Sequence, residues 1–236
     1  MTDRKPAVTL TKRFDAAVKW ARKGFAPKSR KQVEGDAAPA VPYLCHLLEV
    51  AGIVLDHGGD ETAAIAGLLH DAAEDLGGKP VLRKIGERFG GDVRRIVRDL
   101  SDDFPPKDVE KAPWWERKVV YVDRLRGVPD ATLLVCGADK LSNIRASRSS
   151  FRSFPDEAFT LSKHGRRAGT LWYYDAVIAV LEDRGFDPQG LTSTLRSEYD
   201  GWVDAVRAHF GDAAIDEDLR RASDDAAAAR AVVAAR

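Results

Sequence analysis

The sequence predicts an all-α fold of about eight to ten helices, and three observations carry that prediction. Apolar residues recur at helical spacing in segments 9–24, 43–57, 61–76, 80–89, 92–101, 114–126, 131–148, 163–184 and 192–210. Glycine and proline punctuate nearly every junction, at Gly58-Gly59, Gly77-Gly78, Gly90-Gly91, Pro105-Pro106, Gly127 and Gly185. No segment alternates as a half-buried strand would. The β-rich words VVYV at 119 and TLLVC at 132 fall inside longer helical periodicities and read either way on their own.

The first segment sets Leu10, Phe14, Ala17, Val18, Trp20 and Ala21 on one face with basic residues between them, an amphipathic helix. The stretch FAPKSRKQVEGDAAPAVP follows, too rich in proline and charge for a helix, and it runs into Pro42 at the start of the next. A loop of that length inside a compact domain is often functional. The tail from 212 to 236 is rich in Ala, Asp and Arg, and is expected to be a helix that packs weakly or frays, since alanine favours helix but buries little. Residues 1–185 are read as one domain and 186–236 as a helical extension packed on it or trailing from it. No repeat of solenoid period is visible.

Composition narrows the function classes. The chain has 236 residues, 44% of them hydrophobic and 31% charged, enough for a sizeable core. Lys plus Arg number 37 and Asp plus Glu 37, so no overall field favours nucleic acid or an anionic membrane. Any phosphate binding must be local. Cys45 and Cys136 are too few for a disulfide framework and are read as buried thiols of a reducing compartment. The first residues carry charges where a signal peptide needs an apolar core, and no apolar run reaches the roughly 20 residues of a membrane span. A cytoplasmic location is expected.

The word GLLHDAAED, residues 67–75, holds four titratable groups in little more than one turn. His70 and Glu74 are four apart, as are Asp71 and Asp75, so two polar faces meet at one helix end. Carboxylates near a helix C-terminus are disfavoured by roughly 0.3 to 1 kcal/mol each, and a bound cation is the simplest compensation. His46 lies on the preceding helix among Leu44, Cys45, Leu47 and Leu48. Asp139 follows the apolar run LLVC in LLVCGADKLSNIRAS, where a buried carboxylate requires a metal or a strong hydrogen-bond network. Asn143 is four residues further along the same face.

Taken together, His46, the pair His70-Asp71 and the late Asp139 resemble the H…HD…D signature of the HD-domain metal-dependent phosphohydrolases. The words PYLCHLLEVA, AAIAGLLHDAAED, IGERFGGDV and ADKLSNIRA resemble the hydrolase domain of the RelA/SpoT family, and the stand-alone small alarmone hydrolases most of all. The resemblance covers roughly residues 10–184. It implies that His46, His70, Asp71 and Asp139 bind one divalent ion, manganese in this family. Two imidazoles and two carboxylates independently suit Mn, Fe, Co or Zn better than Mg or Ca. The resemblance further implies that Glu74 and Asp75 orient and deprotonate the attacking water, and that Asn143, Arg30 and Lys31 contact the nucleotide. Lys118 and Arg166 are further candidates for pyrophosphate contacts.

The implied reaction is hydrolysis of the 3′-pyrophosphate of a (p)ppGpp-type alarmone. Two departures bear on substrate. RKQVEGDAAPAVPYLCHL is longer than the family's spacer and puts Leu47 where proline is usual, and Leu76 replaces the usual threonine after Glu74-Asp75. Both leave the four proposed ligands in place and open the choice of nucleotide to adenosine alarmones, NADPH or a nucleoside monophosphate. Tyr173 and Tyr174 in LWYYDAV serve either the core or base stacking. A small nucleotide substrate is the expected partner. A homo-oligomer, a toxin partner, and an antitoxin-like action by contact alone stay open at this point.

Overall fold

The computed structural model describes residues 7–31, 33, 39–101, 110–161 and 165–236. Among these the helices are α1 (Lys12–Gly24), α2 (Tyr43–Asp56), α3 (Glu61–Leu69), α4 (Ala72–Leu76), α5 (Lys79–Phe89), α6 (Gly91–Leu100), α7 (Trp114–Leu125), α8 (Asp130–Ser153), α9 (Arg166–Asp183), α10 (Leu191–Phe210) and α11 (Asp212–Ala234). No strand is present among the described residues, and both ambiguous words are helical, VVYV inside α7 and TLLVC inside α8. The break at Pro105-Pro106 and the predicted start of α9 at Lys163 lie outside the described residues.

Helices α3 and α8 form the centre. In α3 every residue from Ala63 to Leu69 is buried, and α8 buries Thr132 through Ser142 without a break. Their patterns have little amphipathic contrast because neighbours cover them on several sides. α2 and α6 pack on both, α1 packs on α3, and α10 lies along α8. Asp60 caps α3 by accepting a hydrogen bond from Ala63 N at 2.8 Å, and Thr11 does the same for α1 through Arg13 N at 3.1 Å. No helix among the described residues is long and apolar enough to cross a membrane.

Three expectations need correction. Segment 61–76 is two helices: the chain turns at His70-Asp71 and restarts as α4, which ends at Gly77 and Gly78 with φ of +133° and +64°. Those angles belong to the region that glycine alone enters without strain. The tail is not loose. α11 packs on α7 and α9 through buried Ile215, Ala222, Ala226 and Ala229, and Arg167 Nε anchors it to Asp218 Oδ2 at 2.5 Å. Alanine buries little area per residue, but it lets helix axes approach closely, and three such positions, Ala222, Ala226 and Ala229, make a seam. Finally, Cys136 is buried as expected, whereas Cys45 is exposed on α2.

The long loop before α2 is closed at its base. Arg30 N donates to Val41 O at 2.8 Å and Tyr43 N to Lys28 O at 3.0 Å, an isolated antiparallel bridge between Ser29 and Pro42. The bridge brings Arg30 beside the first turn of α2 despite twelve intervening positions of sequence.

Candidate metal centre and substrate cleft

Three buried side chains converge from three elements: His46 from α2, His70 from the end of α3 and Asp139 from the middle of α8. One ligand atom from each lies within 4.8 Å of the others. Asp139 Oδ1 is 3.2 Å from His46 Nε2 and 3.4 Å from His70 Nε2. Asp71, half-buried, brings Oδ2 to 3.0 Å from His70 Nε2 and 3.9 Å from His46 Nε2. The turn that interrupts α3 makes this possible, because it swings Asp71 back beside the residue that precedes it.

The hydrogen bonds behind the rings fix which nitrogens face the cluster. His70 Nδ1 is 2.8 Å from Gly67 O, and a carbonyl only accepts, so Nδ1 carries the proton and the neutral ring keeps its lone pair on Nε2. Ser142 Oγ donates its one proton to Glu49 Oε2 at 2.8 Å. It must therefore accept from His46 Nδ1, also at 2.8 Å, and His46 too turns a bare Nε2 inward. With both rings neutral, two imidazole lone pairs and two carboxylates face one another. His70 Nε2 is a buried atom with no hydrogen-bond partner among the described residues. A cation is what this donor set lacks, and the residues fit a divalent ion.

The electrostatics agree. Burial pushes His70 down, but Asp71 and Asp139 outweigh it and hold the metal-free imidazole well above its ordinary value. Burial pushes Asp71 up, and His70 more than reverses this, bringing the carboxyl to about 2. Asp139 stands well below the usual carboxylate range because Lys140 and His70 overcome its desolvation. Each group favours a positive charge at the centre.

A cleft of about 370 Å³ reaches the cluster at His46 and is lined by Arg30, Lys31, Tyr43, Lys118 and Asn143 together with the rings of Trp114, Phe159, Tyr173, Tyr174 and Trp202. Arg30 Nη2 donates to Asn143 Oδ1 at 3.2 Å, and Asn143 Nδ2 donates to Asp139 Oδ1 at 2.6 Å, so the loop cation is wired to the cluster. Lys118 Nζ sits 4.8 Å from the centre of the Tyr173 ring. Cations and aromatic faces in one cleft suit a phosphorylated ligand that carries a flat ring.

Not every candidate lies in the cleft. Glu74 and Asp75 are exposed on α4, beside the cluster through Asp71, and Asp75 Oδ2 pairs with Lys28 Nζ at 3.1 Å. Arg166 opens α9 with φ of +47°, exposed and outside the cleft lining. Sequence reasoning missed Lys140, whose Nζ is 2.7 Å from Asp139 Oδ2, and the supporting roles of Tyr43, Glu49 and Ser142. Spacing could have placed Lys140 beside Asp139; nothing in the sequence pointed to the other three.

Against known families, the HD-domain model matches residues 17–161 of this chain. The chain belongs to the HD-domain family. Its HD domain is similar to the guanosine-3′,5′-bis(diphosphate) 3′-pyrophosphohydrolase MESH1 of Xenopus tropicalis, 35% identical over 133 residues, which is 56% of this chain and 70% of that one. Human MESH1 is 32% identical over 123 residues, 51% of this chain and 64% of the relative. The GTP pyrophosphokinase rsh of Brucella melitensis is 32% identical over 124 residues, half of this chain and 15% of that enzyme. The HD domain also superposes on the solved structure of a metazoan ortholog of SpoT that hydrolyses ppGpp. There the TM-score is 0.64 at 24% identity, covering 83% of this chain and 98% of the other, a likeness of fold.

Proposed function

We propose that this HD-domain protein is a metal-dependent pyrophosphohydrolase that removes the 3′-pyrophosphate from (p)ppGpp-type alarmones, giving GDP or GTP and pyrophosphate. The observation that carries the reading is the junction of the His46–His70–Asp139 cluster with a cleft lined by both cations and aromatic rings. MESH1 of Xenopus tropicalis, named for this activity, is the relative that supports the choice of substrate.

His46, His70, Asp71 and Asp139 would hold one divalent ion, and we assign it as Mn²⁺. When bound, such an ion supplies Lewis acidity toward a phosphoryl oxygen and lowers the pKa of water. The chain's own residues do the rest. Arg30, Lys31 and Lys118 neutralise the pyrophosphate, Asn143 orients it, and the aromatic wall receives the base. Glu74 and Asp75 take the proton of the attacking water. The water oxygen bonds to the phosphorus nearest the ribose, the 3′ ester bond breaks, and a proton ends on the 3′ hydroxyl. Arg166, outside the cleft, has no part in this scheme.

The test is a turnover panel of ppGpp, pppGpp, ppApp and NADPH with Mn²⁺. Pyrophosphate released from ppGpp is the expected result. Orthophosphate released instead from a nucleoside monophosphate, run as a fifth substrate, would identify a general HD nucleotidase, and no turnover of any of the four would overturn the reading. Asp71→Ala should stay folded and lose turnover, and wild-type rates in that variant would remove Asp71 from the ligand set.

A further inference from the structure

Asp139 divides its two oxygens between different tasks. Oδ1 faces both imidazole nitrogens and accepts from Asn143 Nδ2 at 2.6 Å. Oδ2 faces away and is held by Lys140 Nζ at 2.7 Å. Lys140 is 8% exposed, and its ammonium lies 5.2 Å from the ring centre of Tyr173 and 5.6 Å from that of Tyr121. Successive residues on a helix point in different directions, so this contact fixes a long side chain in one geometry at a cost in side-chain freedom. A buried ammonium one carboxylate away from a divalent cation is also electrostatically unfavourable for binding that cation. Both costs call for a compensating role.

We infer that Lys140 is a positioning residue that confines Asp139 to a single ligating oxygen, and that it thereby excludes large, oxygen-seeking cations such as Ca²⁺ from the site. The inference rests on the metal reading above and deepens it. Calcium takes six to eight oxygen ligands and uses carboxylates in bidentate fashion. With Oδ2 closed off by an ammonium, the chain offers two imidazole nitrogens, one oxygen of Asp139 and the carboxylate of Asp71. That set is rich in nitrogen and short of oxygen, which favours first-row transition ions.

The deciding quantity is a ratio. Removing the positive charge of Lys140 raises the attraction for any divalent ion alike, so it cancels between Mn²⁺ and Ca²⁺. Releasing Oδ2 for bidentate binding helps Ca²⁺ selectively and does not cancel. The experiment titrates the metal-stripped full chain with Mn²⁺ and with Ca²⁺ by calorimetry, for wild type, Lys140→Met and Lys140→Arg, with circular dichroism to check folding. The ratio of the Ca²⁺ to the Mn²⁺ dissociation constant should fall about tenfold in Lys140→Met, within the range that partners of metal ligands command, and stay at its wild-type value in Lys140→Arg. Equal changes for the two ions in Lys140→Met would reduce Lys140 to a structural residue and overturn the inference. Wild type that binds neither ion would overturn the metal reading itself. If Lys140→Met fails to fold, Lys140→Gln keeps a polar head between Tyr121 and Tyr173 and carries the same comparison.

Discussion

Tyr43 donates its phenol proton to Asp71 Oδ2 across 2.5 Å, joining the first residue of α2 to the turn between α3 and α4. Burial and the Asp71 carboxylate both raise the phenol's pKa, so Tyr43 remains a donor at any physiological pH. The ring stacks on Phe25 with centres 5.4 Å apart, so Tyr43→Phe deletes the hydroxyl and keeps the packing. Asp71 would then lose the bond that orients it. Mn²⁺ binding should weaken by about tenfold, as for other partners of ligating carboxylates, with an unchanged far-UV spectrum. Unaltered affinity by calorimetry would show that Asp71 needs no such support.

Metal uptake should compete with protons. In the metal-free protein His70 is held charged by its carboxylate neighbours. Its contribution to stability is complete below about pH 6.5 and fades as pH rises through its raised folded value. Asp71 behaves in the opposite sense, stabilising above its ordinary value near 4 and losing that contribution as pH falls toward about 2. Binding a divalent ion requires neutral imidazoles. The rise in melting temperature on adding Mn²⁺ should therefore grow from about pH 6 to about pH 8. A rise that shrinks over that interval would argue against imidazole ligation.

The crossing of α2 and α3 depends on Gly67. A Cβ added there would lie 3.3 Å from Ala51 Cα, backbone that cannot step aside, and the Gly67 carbonyl is the acceptor for His70 Nδ1. Gly67→Val should force the helices apart and destabilise the fold by about 1 to 3 kcal/mol. In urea the midpoint should drop at an unchanged m-value, and a midpoint equal to wild type would refute the packing argument.

Lys118 lines the cleft from α7, its ammonium 4.8 Å from the centre of the Tyr173 ring. In the proposed function it holds the substrate's phosphates in ground state and transition state alike. Lys118→Ala should raise KM about tenfold with kcat little changed. A fall in kcat at constant KM would instead place the ammonium on charge that develops during the reaction.

The parts of the site that were legible in the sequence are those whose chemistry stands out by residue type. His46, His70 and Asp139 are polar groups in apolar words, and the fold brings the three together. What could not be read depends on how segments meet. The turn at His70-Asp71 interrupts a flawless apolar period without a glycine or proline to announce it. Ser142 and Tyr43 are ordinary helix residues until Glu49 and Asp71 lie beside them, across 93 and 28 positions of chain. Arg166 has the composition of a phosphate ligand, but the entry into α9 turns it to solvent. Exposure of Cys45 likewise follows from which side of α2 meets α3, a matter of tertiary packing.

The alanine seam of α11 carries a last consequence. Ala226 and Ala229 press on Val119 and Trp115 of α7, the helix whose Trp114 and Lys118 form part of the cleft wall. The final helix is thus a splint behind the substrate's bed. Shortening it would be felt first as a slackened grip on the nucleotide, with the ion-holding residues of α2, α3 and α8 untouched.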